Sequence, residues 1–452
     1  MSAPELRASI GLSAIFGLRM LGMFAILPVF AIYAEHLPGG DDLTLVGIAI
    51  GAYGFTQAIL QIPCGWWSDR YGRRPVIYTG LAIFAAGSFI AAFGHHIYVV
   101  ILGRVLQGAG AISAAVMALV ADLTRDEHRT KAMAMIGSTV GATFALSLIA
   151  GPALDRVIGV PGIFVMTGVL AIAAMGAAYA IVPKAAPRAA GTPAPADVAC
   201  FGTVVKDPQL LRLNYGVLAL HAALMALFIA VPFSLRDAGL ALAQHWLVYL
   251  PALLGSFVLM LPPLLRSRQA GQIRKLFIGS VALLLGAHLA MPWLMGSAVS
   301  IGLFLLLFFT PFNVLEACLP SLVSRIAPPQ AKGTAIGVFS SVQFFGIFLG
   351  AAVGGTLYGR WGIAGVVIFN AVLFVIWLML ARGMKVPATL STRIYTLPEY
   401  AREGAESLAA RLRMLPGVHE ARIVAAEGRA YLKVDSAGFD EENVAKLFAG
   451  ET

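Results

Sequence analysis

Long apolar stretches, separated by short polar loops, fill the chain up to about residue 384. Twelve of them are long enough to cross the hydrocarbon core of a bilayer, which is about 30 Å thick. The first is too long for the apolar region of a signal peptide, so we expect it to remain as a membrane helix. The pattern predicts an all-α membrane protein with twelve transmembrane helices, here called segments 1 to 12. They lie at 10–34, 44–66, 75–94, 97–122, 132–154, 162–182, 212–233, 245–265, 275–295, 298–324, 334–357 and 363–383.

The composition excludes a soluble enzyme. Hydrophobic residues make up 59% of the chain and charged residues 12%, whereas soluble domains have about 45–50% and about 25%. The three cysteines, Cys64, Cys200 and Cys318, are far apart and predict neither a disulfide framework nor a metal site. No phosphate-binding loop, H-E-x-x-H motif or nucleophile elbow occurs, which disfavours an ATP-driven pump and a membrane enzyme.

The charges of the loops predict the orientation of the chain. Loops after even-numbered segments carry fifteen Lys and Arg residues, and loops after odd-numbered segments carry three. Because positively charged loops stay in the cytoplasm, both termini should be cytoplasmic and loop 35–43 should lie outside. We therefore expect a multi-pass protein of the bacterial inner (plasma) membrane.

The last part of the chain has a different charge and predicts a soluble domain. Residues 1–386 contain 24 Lys and Arg against 13 Asp and Glu, and residues 387–452 contain 8 against 10. Patterning there predicts strands at 392–396, 418–425 and 430–435 and helices at 400–414 and 440–448. The order βαββα predicts a small α+β, ferredoxin-like domain. It has no cysteine, which disfavours a metal-chaperone role, and we leave open whether it binds a regulator or dimerises.

An internal repeat divides the membrane part into two six-helix halves. Arg129–Met135 resembles Lys332–Val338 at an offset of 203 residues, and Gly159 corresponds to Gly362 at the same offset. Two such halves around a cavity are typical of secondary transporters. The expected parts are an N-terminal half at 1–182, a cytoplasmic linker at 183–211, a C-terminal half at 212–386 and the soluble domain at 387–452.

Three motifs connect the chain to a known family. The loop after segment 2 reads Gly65-Trp-Trp-Ser-Asp69-Arg70-Tyr-Gly72-Arg73-Arg74, segment 4 contains Arg104-Val-Leu-Gln107-Gly108-Ala-Gly110, and segment 5 ends with Gly151-Pro152. They resemble the loop signature, the segment-4 motif and the antiporter Gly-Pro element of the major facilitator superfamily. Asp155 and Arg156 stand where that antiporter element has glycines. The runs Leu18–Phe24, Asp122–Arg125 and Leu315–Ala317 resemble the YajR-type transporters, which implies proton-driven drug efflux.

The first motif predicts a latch at the cytoplasmic face. A helix N-terminus carries a partial positive charge, so Asp69 can bind the start of segment 11. Arg73 can pair with Asp122 at the end of segment 4. Such a latch would favour the outward-open state, although the arginines alone could serve only to set the topology. The residues involved are Gly65, Asp69, Arg70, Gly72, Arg73, Arg74 and Asp122.

Four ionisable side chains inside segments are candidates for proton coupling. They are Arg19, Arg104, His221 and Glu316, on segments 1, 4, 7 and 10, which the resemblance implies line the cavity. Glu316 is the carboxylate farthest from a segment end, so we predict that it alternates between a proton and pairing with Arg19 or His221. A static ion pair for Glu316, backbone bonding for Arg104 and a structural role for His221 are the alternatives. The polar residues Gln57, Gln61, Asn313 and Gln343 could contact substrate or join helices.

The sequence thus predicts a proton-coupled exporter of small lipophilic compounds that works by alternating access. We expect no cofactor, because the proton gradient supplies the energy. The expected partners are membrane lipid, a small-molecule substrate and protons, with no nucleic acid, and the chain should be a monomer. Proton-coupled uptake of a solute and a transport-inactive receptor that signals through the C-terminal domain remain alternatives.

Overall fold

The computed structural model describes residues 1–181, 198–267, 270–328, 331–385, 390–396, 405–424, 428–435 and 439–449. These residues form two compact units. The first comprises Met1–Met260 and Ile278–Met384, and the second comprises Leu261–Phe277 and Lys385–Thr452.

The regular secondary structure of the membrane part is all helical within its described residues. The N-terminal half contains α1 (Ala3–Ala25), α2 (Leu27–Ala34), α3 (Leu43–Tyr71), α4 (Arg73–Ala92), α5 (Ile97–Ala109), α6 (Ser113–Leu123) and α7 (Asp126–Ile181). The rest contains α8 (Val198–Lys206), α9 (Pro208–Asp237), α10 (Trp246–Arg266), α11 (Ala270–Leu294), α12 (Ala298–Ile326) and α13 (Lys332–Arg382).

Two of these helices each account for two of the predicted segments. Ten continuous stretches of the described chain are apolar and long enough to cross a membrane, and two of them have 50 and 51 residues. Each is interrupted by a non-helical glycine with positive φ, Gly159 in α7 and Gly362 in α13. In α7, Ser147 Oγ donates to the carbonyl oxygen of Leu21 on α1, and Thr167 lies against the next residue of α1, Gly22. The chain therefore reverses between residues 147 and 167. Within the described residues there are therefore twelve crossings, as predicted.

Segment 1 begins earlier than the hydropathy pattern predicts. We expected it to start at residue 10, whereas α1 starts at Ala3. Ser2 and Glu5 form a capping box, in which each side chain bonds the backbone N–H of the other residue. Such a box satisfies N–H groups that a helix start leaves free, so polar residues can extend an apolar helix. Arg19 consequently lies sixteen residues from the helix start, about 24 Å along the axis.

Segment 4 contains a break that hydropathy does not predict. It consists of α5 and α6, separated at Gly110–Ile112. Gly110 lies directly against the carbonyl oxygen of Gly80 on α4, and a Cβ atom at this position would also lie 2.9 Å from the Cβ of Phe84. The glycine of the motif therefore permits close contact between segments 3 and 4.

The second part of the expected linker at 183–211 is helical in the structure. Residues 183–197 lie outside the described residues. The remainder contains the short helix α8 and the start of α9, so segment 7 begins at Pro208 rather than residue 212. Asp207 caps α9, because its Oδ1 accepts hydrogen bonds from the backbone N–H groups of Gln209 and Leu210 at 2.7 and 3.0 Å. The sequence signal for this start is Asp followed by Pro at the first helical position.

The two halves meet closely at the end of the bundle that carries loop 35–43, the predicted outer end. Gly47, Gly51 and Gly54 of α3 lie directly against the backbone of Ala351, Phe348 and Phe344 of α13. At the predicted cytoplasmic end, no described atom apart from the adjoining residues of α13 lies within 4 Å of a Cβ added at Gly333 or Gly337. The halves are thus closed against each other at the predicted outer end and separated at the other, an inward-open arrangement.

The C-terminal domain has the predicted order of elements. Its described elements are β1 (Leu390–Thr396), α14 (Ala405–Met414), β2 (Val418–Val424), β3 (Arg429–Asp435) and α15 (Glu441–Ala449). The strands form an antiparallel sheet in the order β1-β3-β2. Leu412, Leu432, Val434 and Val444 are buried between the sheet and the helices. The predicted helix start at residues 400–404 and the hairpin turn at residues 425–427 lie outside the described residues.

Candidate functional site

Glu316 and His221 lie side by side inside the C-terminal half, and they form an ion pair when the imidazole is protonated. The Oε2 atom of Glu316 is 3.7 Å from Nε2 of His221 on α9, and the side chain of Glu316 is 40% exposed while that of His221 is 8% exposed. The ring Nδ1 of His221 lies 3.1 Å from the carbonyl oxygen of Val217. Glu316 is ten residues before the end of α12, about 15 Å from it along the helix axis. The carboxylate and the imidazole can therefore share a proton at membrane depth.

Gln343 is the third polar member of this site. Its Nε2 lies 2.8 Å from Nε2 of His221. The next residue on α13, Phe344, packs against Tyr53 of the N-terminal half with 6.2 Å between ring centroids. The site thus adjoins the interface between the halves. The sequence could not reveal this relation, because it depends on how α9, α12 and α13 pack.

Arg19 lies apart from Glu316, in a polar cluster within the N-terminal half. Its side chain is fully buried and donates to Gln57 Oε1 at 2.8 Å and to Ser113 Oγ at 3.4 Å. The guanidinium also lies over the rings of Tyr53 and Phe84. Among the described residues no carboxylate lies within 4 Å of it. Of the two partners predicted for Glu316, this structure therefore shows His221 and not Arg19.

Arg104 bonds to backbone carbonyls of a neighbouring helix. It donates to the carbonyl oxygens of Ala49 and Ile50 on α3 at 3.3 and 3.1 Å, and to Gln107 Oε1 at 2.8 Å. Gln107 in turn donates to Ser88 on α4. The alternative left open for Arg104, backbone bonding, matches this arrangement. The motif residues of segment 4 hold α3 in place where it contacts α13, and Gly108 lies directly against the backbone of Tyr53 on α3.

The loop motif forms a cluster of charges at the predicted cytoplasmic end. Arg73 pairs with Asp69, one turn earlier, and its Nε lies 3.1 Å from Asp122 Oδ2. Gly72 has a φ of 95° and separates α3 from α4, while Gly65 approaches Ala114 of α6. Arg70 stacks on Trp66 and Tyr71, and Arg74 is half-buried. The latch residues are assembled within the N-terminal half, and their action on segment 11 stays a prediction.

Gly151 of the third motif lies where α1 ends and α2 begins, and Pro152 follows it as a buried residue of α7. A Cβ at Gly151 would lie 2.9 Å from Pro28, and Gly151 also lies directly against the carbonyl oxygen of Ala25, where α1 ends. Two turns earlier on α7, Phe144 contacts Phe228 and Phe309 of the C-terminal half at centroid distances of 6.2 and 6.3 Å. We call Phe144, Phe228 and Phe309 the aromatic plug. Phe228 and Phe309 are each seven residues nearer the predicted outer end than His221 and Glu316, so the plug separates the ion pair from that end.

A salt bridge also joins the halves at the predicted outer end. Arg236 Nη1 at the end of α9 lies 2.6 Å from Glu35 Oε2 after α2. The guanidinium stacks on Phe233 at 5.1 Å from its ring centroid. Both side chains are more than a third exposed, so the pair adds little to stability, but it forms only where the two halves meet.

Comparison with known proteins identifies the family. Residues 12–351 match the family model of the Major Facilitator Superfamily, and residues 393–441 match that of the YajR YAM domain. The chain is a member of the major facilitator superfamily. It is 41% identical over 436 residues to the inner membrane transport protein YajR of Escherichia coli (strain K12), which covers 96% of each chain. This confirms the predicted YajR-type architecture, with its twelve-helix fold and C-terminal α+β domain, and makes the chain a membrane transport protein rather than an enzyme.

Other proteins are similar over part of the chain or in fold alone. The class D tetracycline resistance protein of Salmonella ordonez is 36% identical over 141 residues, 31% of this chain and 35% of that protein. The human organic anion transporter MFSD10 (TETRAN) superposes with a TM-score of 0.64 at 20% identity, covering 84% of this chain and all of the other. An inward-facing, occupied bacterial homologue of the human lysosomal transporter Spinster gives 0.64 at 14% identity, covering 84% and 96%.

Proposed function

We propose that this transporter exports small lipophilic compounds in exchange for protons by alternating access, with Glu316 as the proton carrier. The observation that carries the proposal is the pairing of Glu316 with His221 beside the interface of the halves. A carboxylate in a membrane helix is costly unless it serves a pathway or a partner. Because Glu316 is partly exposed, a proton can reach it from the open side.

The surroundings of the ion pair favour an apolar substrate. His221 lies against Phe312, with 6.0 Å between ring centroids, and the aromatic plug lies two turns away. Phe228 and Phe309 of the plug border a small apolar cavity of about 10 Å³, whose other lining residues are Leu224, Leu227, Val231, Tyr249, Leu305 and Phe308. Apolar lining with a few polar groups is typical of sites for lipophilic ligands. The resistance protein among the relatives supports the drug class.

The orientation follows from loop charge. We infer that both termini and the C-terminal domain lie in the cytoplasm, because the excess of Lys and Arg is in the even-numbered loops. In that orientation the closed end of the bundle faces outward and Glu316 is open to the cytoplasm, the side from which an exporter collects its substrate.

A flux experiment tests the direction of transport. A thermal-shift screen of the full purified chain provides a ligand, and the chain is then reconstituted into vesicles in which its C-terminal domain faces the bath. With the vesicle lumen acidified, we expect the ligand to accumulate inside and the lumen to lose protons. A protonophore, which dissipates the proton gradient by itself, should abolish the accumulation of the ligand. Proton-coupled movement in the opposite direction would indicate uptake, and binding without flux would indicate a receptor.

A further inference from the structure

Hydrogen bonding around His221 fixes which ring nitrogen carries the hydrogen. The carbonyl oxygen of Val217 can only accept, so Nδ1 of His221 donates to it at 3.1 Å. In the neutral ring Nε2 then has a free lone pair, to which the amide N–H of Gln343 donates at 2.8 Å. A bond donated by Gln343 to Nε2 therefore exists only while the imidazole is unprotonated.

Protonation of the His221 ring removes the lone pair that accepts the hydrogen bond from Gln343. Nε2 then becomes a donor and faces the amide N–H of Gln343, so the amide must turn its oxygen toward the ring or move away. The Oε2 atom of Glu316, at 3.7 Å from Nε2, is the acceptor available to the imidazolium. Among the described residues, Glu316 is the one charged group in contact with His221. The other titratable side chains on these helices include Tyr215 on α9, Cys318 and Arg325 on α12, and Lys332 on α13.

Gln343 is one residue from the contact between the halves. The ring of Phe344 packs edge-on against Tyr53. The backbone carbonyl oxygen of Phe344 would lie 2.6 Å from a Cβ added at Gly54. Tyr53 also lies beneath the guanidinium groups of Arg19 and Arg104. A movement of Gln343 thus acts directly on the closed interface.

Building on the proposed proton site, we propose that Gln343 is a positioning residue that transmits the protonation of His221 to the interface between the halves. It binds neither substrate nor the transported proton. The amide donor of Gln343 bonds the neutral ring and loses that bond whenever the proton exchanged with Glu316 is on His221, and the adjoining Phe344 carries the change to Tyr53. The amide makes the closed interface sensitive to protonation of the ion pair.

The test measures two pH titrations on one full-length protein in nanodiscs. The resonance of His221, labelled with ¹³C at Cε1 and assigned by its loss in His221→Gln, reports protonation. Spin labels at Asp41→Cys and Ala241→Cys, with the native cysteines replaced, report separation of the halves at the predicted outer end. In the otherwise unaltered protein we expect the two midpoints to coincide.

Substitution of Gln343 should separate these titrations. In Gln343→Met, which keeps the length of the side chain but has no donor, His221 should still titrate while the distance distribution stays the same. Gln343→Glu should restore the pH dependence of the label distances, because its carboxylate can accept a hydrogen bond from the imidazolium. Phe345→Leu, on the exposed side of α13, is the matched control and should change neither.

Each contrary result has a distinct meaning. Coincident midpoints and an unchanged distance response in Gln343→Met would overturn the role of Gln343 while leaving Glu316 as the proton carrier. If the label distances do not change with pH while Gln343 is intact, both the role of Gln343 and the role of Glu316 would be overturned. Normal proton-coupled flux in Glu316→Gln would refute Glu316 as the proton carrier. That measurement is separate from the test of Gln343, so the two proposals can fail independently.

Discussion

Glu316→Gln should abolish proton-coupled transport while leaving ligand binding measurable. The amide keeps the size of the side chain and can still bond to His221, so the fold should persist, but it cannot take up a proton at neutral pH. Without that step the loaded and unloaded states no longer differ in charge at the ion pair. In reconstituted vesicles, ligand-dependent loss of luminal protons should fall to the level of vesicles without protein.

Asp41→Asn is the matched control for this change. Asp41 is an exposed carboxylate of loop 35–43, so its loss removes one negative charge without touching the ion pair. This variant should transport at the original rate. Undiminished proton movement in Glu316→Gln would show that another group carries the proton and would refute the assignment.

Gly47→Leu should shift the conformational equilibrium toward the outward-open state. Gly47 of α3 lies directly against the carbonyl oxygen of Ala351, and an added Cβ would also be 3.2 Å from the Cα of Ala352. A leucine at this point cannot fit while the halves are closed. Overpacking typically costs about 1–3 kcal/mol, so the ratio of closed to open molecules at the predicted outer end should fall by a factor of about 5 to about 160. Distances between spin labels at residues 41 and 241 measure this ratio.

Gly137→Leu provides the comparison for steric effects of leucine itself. Gly137 lies in α7 with no described atom within 4 Å of an added Cβ. The substitution should leave the label distances unchanged. Equal distances in the Gly47 and Gly137 variants would mean that the contact between α3 and α13 does not control access at that end.

Hydropathy and charge were sufficient to predict the membrane fold, because lipid forces each crossing to be a long apolar helix. The repeat also identified a structural feature, since the paired glycines 159 and 362 are the two positions where a long helix reverses with positive φ. The C-terminal elements were predictable because alternating apolar residues and Gly-containing turns set their bounds.

Positions that depend on contacts between distant helices were not predictable. The sequence marked Glu316, His221 and Gln343 as unusual polar residues, but their meeting depends on the packing of α9, α12 and α13. The same applies to Arg19, whose polar partners are the amide of Gln57 on α3 and the hydroxyl of Ser113 on α6 rather than an acid. The salt bridge between Glu35 and Arg236 gave no sequence signal, because both residues resemble ordinary loop charges.

Boundaries failed where local polar chemistry overrides hydropathy. The capping box of Ser2 and Glu5 extended segment 1, and Asp207 with Pro208 began segment 7 early. Both signals are visible in the sequence as a capping residue followed by a helix-compatible proline or glutamate. A search for caps before apolar runs would have corrected both starts.

Proton release on ligand binding is the most direct measurement of whether substrate and proton compete for Glu316. The full chain is held in weakly buffered detergent solution at a pH where the site is protonated, and ligand from the thermal-shift screen is added. Linkage predicts the release of about one proton for each ligand bound, and none from Glu316→Gln. Saturable binding without proton release at any pH would contradict exchange of substrate for a proton at this carboxylate.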